Sequence, residues 1–181
     1  MKTTQYFITR IGLLFIAVFC ITSLTFAQER GNEEPRTSPN ATVSQTIGTT
    51  DITITYGRPA VNDRDIFGGL VPYNEVWRTG ANESTAIVVS DDVMIEGNEL
   101  AAGTYSLYTI PGQDSWTVII NEKLSWGTQY DKSQDVLRFE VTPQETNYIE
   151  HMMFYFDNIT TESATVALWW DDVKVPFTIE A

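Results

Sequence analysis

The 181-residue chain has one cysteine, Cys20, and one histidine, His151. These two scarcities exclude much chemistry. Cys20 lies in a segment with the marks of a targeting signal, so the exported form would carry no thiol. That removes disulfides, thiolate nucleophiles and sulfur ligands for a metal. One imidazole without thiolates falls short of the usual zinc ligand sets. His151 sits in the run Ile149-Glu150-His151-Met152-Met153. No G-x-S-x-G motif accompanies it, so a Ser-His-acid triad has no recognisable nucleophile. Basic residues are also scarce, 11 against 24 acidic, for a formal net charge of −13. Nucleic acid and anionic membrane surfaces both need a basic face, so neither is an expected partner. The longest apolar run, Ile11 to Ile21, is too short for a good membrane span.

The same run has the length of a signal-peptide core. Lys2 and Arg10 form a basic start, and Thr25-Phe26-Ala27 sets small residues for a cut before Gln28. Residues 1–27 therefore read as a signal peptide, and the chain as exported to the periplasm or beyond the cell. A retained membrane anchor and a lipoprotein modified at Cys20 are the alternatives. Bulky Phe19 before Cys20 speaks against the second. Removal of residues 1–27 leaves 154 residues with nine basic side chains and no expected membrane span, enough for one domain with a real core. Residues 28–39 are polar with two prolines and read as a flexible tether. The exported form would have no disulfide, where a small eukaryotic secreted domain would usually be stapled, so a bacterial envelope protein fits better and the three N-x-S/T patterns, at Asn40, Asn82 and Asn158, read as chance.

Residues 40–181 alternate with period two almost throughout. Ile52, Ile54 and Tyr56 face one way and Asp51, Thr53 and Thr55 the other, as in a half-buried strand. Strands are expected at Ala41 to Ile47, Thr85 to Val89, Val93 to Glu96 and Val136 to Val141. Pro111-Gly112-Gln113-Asp114 closes a hairpin between Thr104 to Ile110 and Ser115 to Asn121. Asn147 to Phe156 is apolar on both faces and is expected centrally in a sheet. Asp171-Asp172 is expected to turn the chain between two last strands. No window makes a useful amphipathic helix. The pattern predicts an all-β single domain, a β-sandwich or jelly roll, with a closed β-barrel as the alternative.

Two segments break the alternation. Glu122 to Gln134 carries Trp126 and Tyr130. Arg58 to Glu83 is long, yet too apolar for a linker, and holds Arg58, Arg64 and Arg78. Ordered loops of this kind are where sites are built. A guanidinium fork grips carboxylate, sulfate or phosphate. Tyr73, Trp77, Trp126 and Tyr130 can stack on a sugar or shield the fork, and Asn82 and Glu83 add polar contacts. Loops cluster at the ends of a sandwich, so the two segments can meet there. The competing reading is internal bracing, with Asp63, Asp65, Glu75 and Glu83 consuming the three arginines. Calcium at Asp91-Asp92, Asp157-Asn158 or Asp171-Asp172 competes with ordinary turn chemistry, and no EF-hand spacing occurs. No metal or other cofactor is expected.

Several ordered blocks carry a family resemblance. They are Ser38-Pro39 with Ala41-Thr42-Val43-Ser44-Gln45, Tyr56-Gly57-Arg58-Pro59, Ile66-Phe67-Gly68, Leu70-Val71-Pro72-Tyr73, Trp77-Arg78-Thr79-Gly80-Ala81-Asn82-Glu83, Ala102-Gly103-Thr104-Tyr105-Ser106-Leu107, Ile110-Pro111-Gly112 and Trp126-Gly127. In these blocks, from about Ser38 to the C-terminus, the chain resembles the bacterial family known as domain of unknown function 2911. Gly69 departs from the pattern as an added glycine. The resemblance implies an exported envelope protein and supplies no substrate, cofactor or catalytic residue. The expected role is a non-catalytic binding or interaction module for an anionic small molecule or a glycan. The rivals are a hydrolase of envelope polymers acting through carboxylates and a purely structural envelope protein.

Overall fold

The alternating segments become ten strands in the computed structural model, which describes residues 30–31 and 34–181. The expected signal peptide, Cys20 and the expected cut before Gln28 lie outside the described residues. The strands are β1 (Asn40–Ile47), β2 (Thr50–Gly57), β3 (Thr85–Val89), β4 (Val93–Ile95), β5 (Asn98–Leu100), β6 (Gly103–Ile110), β7 (Trp116–Asn121), β8 (Asp135–Val141), β9 (Gln144–Asp157) and β10 (Ser163–Glu180). Among the described residues the only helical turn is a 3-10 turn at Lys132–Gln134, whose cap is Asp131. No helix there is long and apolar enough to cross a membrane.

All pairings between strands are antiparallel. One sheet has six strands in the order β1-β2-β3-β6-β7-β8, the other four in the order β5-β4-β10-β9. Neither sheet closes on itself, so the fold is an open β-sandwich and not a barrel. Strand parity explains the layers. Ile52, Ile54 and Tyr56 turn inward and are buried. Each such aliphatic side chain stabilises the fold by about 1.5–3 kcal/mol. On the outer face Thr42, Ser44 and Thr46 bond across to Thr55, Thr53 and Asp51 at 3.1, 2.8 and 2.6 Å. The sheets are tied internally where the Phe154 N–H donates to Tyr56 Oη at 3.1 Å.

Two expectations are corrected and one strand was missed. β9 is an edge strand and not a central one. Its apolar second face is explained by the connection after β2, which covers that edge: the Met152 N–H donates to Pro59 O and the Val61 N–H to Glu150 O. The Asp171-Asp172 pair does not end a strand. β10 runs through it as a bulge, with Asp171 at φ 58° and register shifts on both sides. The short β5 was hidden by its length, three residues with Asn98 and Glu99 exposed.

Candidate functional site

The connection from β2 to β3 spans residues 58–84 and divides in two. Its first half crosses to β9, where Ala60 bridges His151. Arg64 is exposed there and bonds backward to Val61 O and Ala60 O at 2.9 and 2.7 Å. It braces its own loop. Its second half returns beside β6: the Trp77 N–H donates to Thr109 O at 2.7 Å and the Thr109 N–H to Trp77 O at 2.9 Å. This short ladder fixes parity. Trp77 turns inward and stacks on Trp170 at 5.9 Å, with Phe67 and Trp116 edge-on. Trp77 is therefore core packing and not a ligand platform. Arg78 follows it on the opposite parity.

The chain then makes a strained turn. Thr79, fully buried and β-branched, has φ 56°, and Asn82 has φ 65°. Such a conformation at a β-branched residue costs on the order of 1–3 kcal/mol and persists only where its surroundings hold it. Here the Thr85 hydroxyl donates to Thr79 O at 2.6 Å, and Thr79 Oγ1 meets Thr109 Oγ1 at 3.1 Å. Gly57, at the end of β2, permits the close approach. A Cβ there would lie 2.1 Å from Ala81 O.

The 122–134 segment folds over the outer face of the six-stranded sheet and meets this turn. Glu83 bridges Trp126, the Ser84 N–H donates to Ser125 O at 3.0 Å, and the Gly127 N–H donates to Asn82 O at 3.1 Å. Beneath the junction lies a buried hydroxyl network. Ser84 Oγ meets Ser106 Oγ at 2.7 Å, Tyr108 Oη meets Ser125 Oγ at 2.6 Å, and the Ser106 hydroxyl donates to Lys123 O at 2.8 Å. Asn121 pins the far end of the segment, donating to Asp131 O and Asp135 Oδ1. These polar residues are paired, so the network rigidifies the loop.

Two opposite electrostatic arrangements sit on this frame. Glu83 is buried and fully engaged. Arg36 grips it with both terminal nitrogens at 2.8 and 2.9 Å, and Arg30 stands 3.9 Å away while bonding to Ser84 O. Burial alone would raise the Glu83 carboxyl, but the Arg36 fork, a backbone bond and the Arg30 charge bring it below its ordinary value. Arg78 is the reverse. It is half-buried, its Nε is shut from solvent without a hydrogen-bond partner, and no ion pair to it exists among the described residues. Burial lowers its pKa, and no carboxylate offsets that. Its stem lies against Gly127, where a Cβ would come 1.9 Å from Arg78 Cδ. Trp126, next to Gly127, is 53% exposed.

The structure thus brings together Arg78, Asn82, Glu83 and Trp126 from the expected set. Tyr130 borders them, edge-on to Tyr108 at 5.0 Å and bonded to Asp135 and Arg138. Arg58 follows Gly57, whose O accepts from the Ala81 N–H at 3.1 Å; its own backbone N–H is on Pro39 O, and its Nε, like that of Arg78, is buried without a hydrogen-bond partner among the described residues. Tyr73 lies elsewhere, in a cavity with Asn74 and the Gly112–Ser115 turn. The expected bracing of Arg58, Arg64 and Arg78 by Asp63, Asp65, Glu75 and Glu83 does not occur among the described residues. Glu83 is taken by Arg36 and Arg30, from the segment read as a tether. Sequence reasoning also missed Ser84, Ser106, Tyr108 and Ser125. Their signal was present: β6 and β7 carry Tyr108 and Ile119 on the face opposite the core, so something had to cover that face. No group of three or more acidic, histidine or cysteine residues able to hold a metal forms among the described residues.

A family model described as a protein of unknown function, DUF2911, matches residues 38–179. No curated protein and no solved structure matches the chain.

Proposed function

We propose that this chain, which belongs to the DUF2911 family, is a non-catalytic binding module exported to the bacterial envelope. Its ligand is an anionic small molecule or an acidic glycan, held where the 78–84 turn meets the Trp126 segment. The observation that carries the reading is Arg78, a half-buried guanidinium that among the described residues has no carboxylate partner and an Nε–H without a hydrogen bond. An uncompensated cation in a partly dry place is costly, and a ligand carboxylate, sulfate or phosphate supplies the missing partner. Exposed Trp126 beside it offers a face for a sugar ring. A hydrolase reading gains nothing at the junction. Glu83 is the only buried acidic residue among those described, and Arg36 and Arg30 hold it.

The test is calorimetric titration of the wild type and Arg78→Met with inorganic phosphate, glucuronate and galacturonate. Trp126 fluorescence provides a second signal. Arg78→Met keeps the apolar stem and removes the charge. It should abolish binding with little change in a denaturant melt, because no carboxylate among the described residues is left behind. Equal binding by both proteins, or no binding of any anion by the wild type, would contradict the proposal.

A further inference from the structure

Gln144 and Asp157 are the two ends of β9. A straight strand, at about 3.3 Å per residue, would hold them roughly 40 Å apart. Instead both line one cavity of about 360 Å³. The β9–β10 ribbon therefore curls back on itself. The bulge at Asp171 accounts for the curl, since register shifts on either side bend a paired ribbon and increase its twist. The curl gathers cross-strand pairs from both ends of the ladder around a common space: Asp157 with Thr165, Tyr155 with Ala167, and Gln144 with Lys174. Ala167 is buried and adds almost no side chain, which leaves room beside the Tyr155 ring. That ring leans on Trp169 at 6.2 Å.

Three polar groups at this cavity are unspent, while Asp157 Oδ1 accepts from the Asn158 N–H at 2.8 Å and Thr165 Oγ1 from Asn158 Nδ2 at 3.3 Å. The Tyr155 hydroxyl, the Lys174 ammonium and the Gln144 amide have no hydrogen-bond or ion-pair partner among the described residues. Glu96 is oriented by the Thr178 N–H at 2.6 Å. Donors and acceptors thus line one cavity together with an aromatic ring. A pyranose matches this set, because each hydroxyl both donates and accepts while its C–H face packs on a ring. The two carboxylates, Glu96 and Asp157, oppose an anion, and Lys174 opposes a metal cation. The volume is at the small end of ligand pockets, about 300–1,000 Å³. We infer that this cavity binds a neutral saccharide, a mono- or disaccharide unit with adjacent hydroxyls. The site shares no residue with the Arg78 junction and does not depend on it.

Proton–nitrogen NMR spectra of the protein titrated with glucose, galactose, N-acetylglucosamine, maltose and cellobiose test the inference. At least one sugar should produce saturable shifts at residues 144, 155, 157 and 174. Tyr155→Ala should weaken that sugar tenfold or more. The double variant Gln144→Ala with Lys174→Met, checked for folding by its melt, should do the same without touching an aromatic residue. Arg78→Met should bind it as the wild type does. Three results would overturn the inference: no sugar shifting these residues at millimolar concentration, inorganic phosphate shifting them instead, or the folded double variant binding with unchanged affinity.

Discussion

Replacing Glu83 by glutamine should destabilise the domain by roughly 3 kcal/mol at neutral pH. The side chain of Glu83 is only 4% exposed, so the change removes the buried charge that Arg36 grips with both terminal nitrogens and that stands 3.9 Å from Arg30. Breaking a buried pair from one side costs about 3–5 kcal/mol. The lower end applies here because Arg36 retains 21% exposure and can turn to water, and because glutamine keeps one acceptor oxygen. For a domain of this size the melting temperature should fall by roughly 6–12 °C. The effect also has a pH signature. Glu83 titrates below its ordinary value in the folded state. Its contribution is therefore present above the unfolded carboxyl value, about 4.3, and is lost as pH falls through the lower folded value. The gap between wild type and Glu83→Gln should be full at pH 7 and closed near pH 2. Thermal melts across that range, with exposed Glu75→Gln as the control, measure it. A gap below about 0.5 kcal/mol at pH 7, the scale of ordinary surface changes, would refute the reasoning, as would a gap that does not shrink in acid.

Gly127→Ala should cost about 1–3 kcal/mol and dislodge Arg78, since the new methyl would sit 1.9 Å from Arg78 Cδ and 2.6 Å from Asn82 O; an unchanged denaturant midpoint would count against the junction. Asp171 is shifted upward by burial, then by Asp172, Asp65 and Glu150. A raised carboxyl favours the folded state at low pH and loses that contribution as pH rises through its folded value. Asp171→Asn should therefore raise the melting temperature at pH 7 and leave it unchanged near pH 3, which paired melts will decide.

Most of the sandwich was legible because strand parity writes itself into the chain. Ile52, Ile54 and Tyr56 against Thr53 and Thr55 declare a half-buried strand, and Pro111-Gly112 declares its hairpin. What failed to show depended on distance or ambiguity. Asp171-Asp172 has turn chemistry, yet an Asp at positive φ serves a bulge equally well, and only the partner strand decides between them. Glu83 lies 47 residues from Arg36, so no local pattern links them, and nearby Arg78 was the natural but wrong partner to weigh. Trp77 looked like an exposed platform because loop residues carry no parity of their own; its parity comes from Thr109 across a bridge. The meeting of the two irregular segments was readable in outline, since loops gather at sandwich ends. Of the hydroxyl network that joins them, only the need for a cover was readable, from Tyr108 and Ile119 opposite the core; its serines carry no distinctive periodic signal.

The central claim is that Arg78 is a cation awaiting an anion. Its Nε–H gives the most direct measurement, through the arginine side-chain cross-peak in a proton–nitrogen NMR spectrum, assigned by its loss in Arg78→Met. Titration with glucuronate or inorganic phosphate should move that cross-peak to saturation while that of Arg64, which bonds to its own loop, stays in place. A folded wild-type protein whose Arg78 cross-peak is unmoved by either anion would contradict the account.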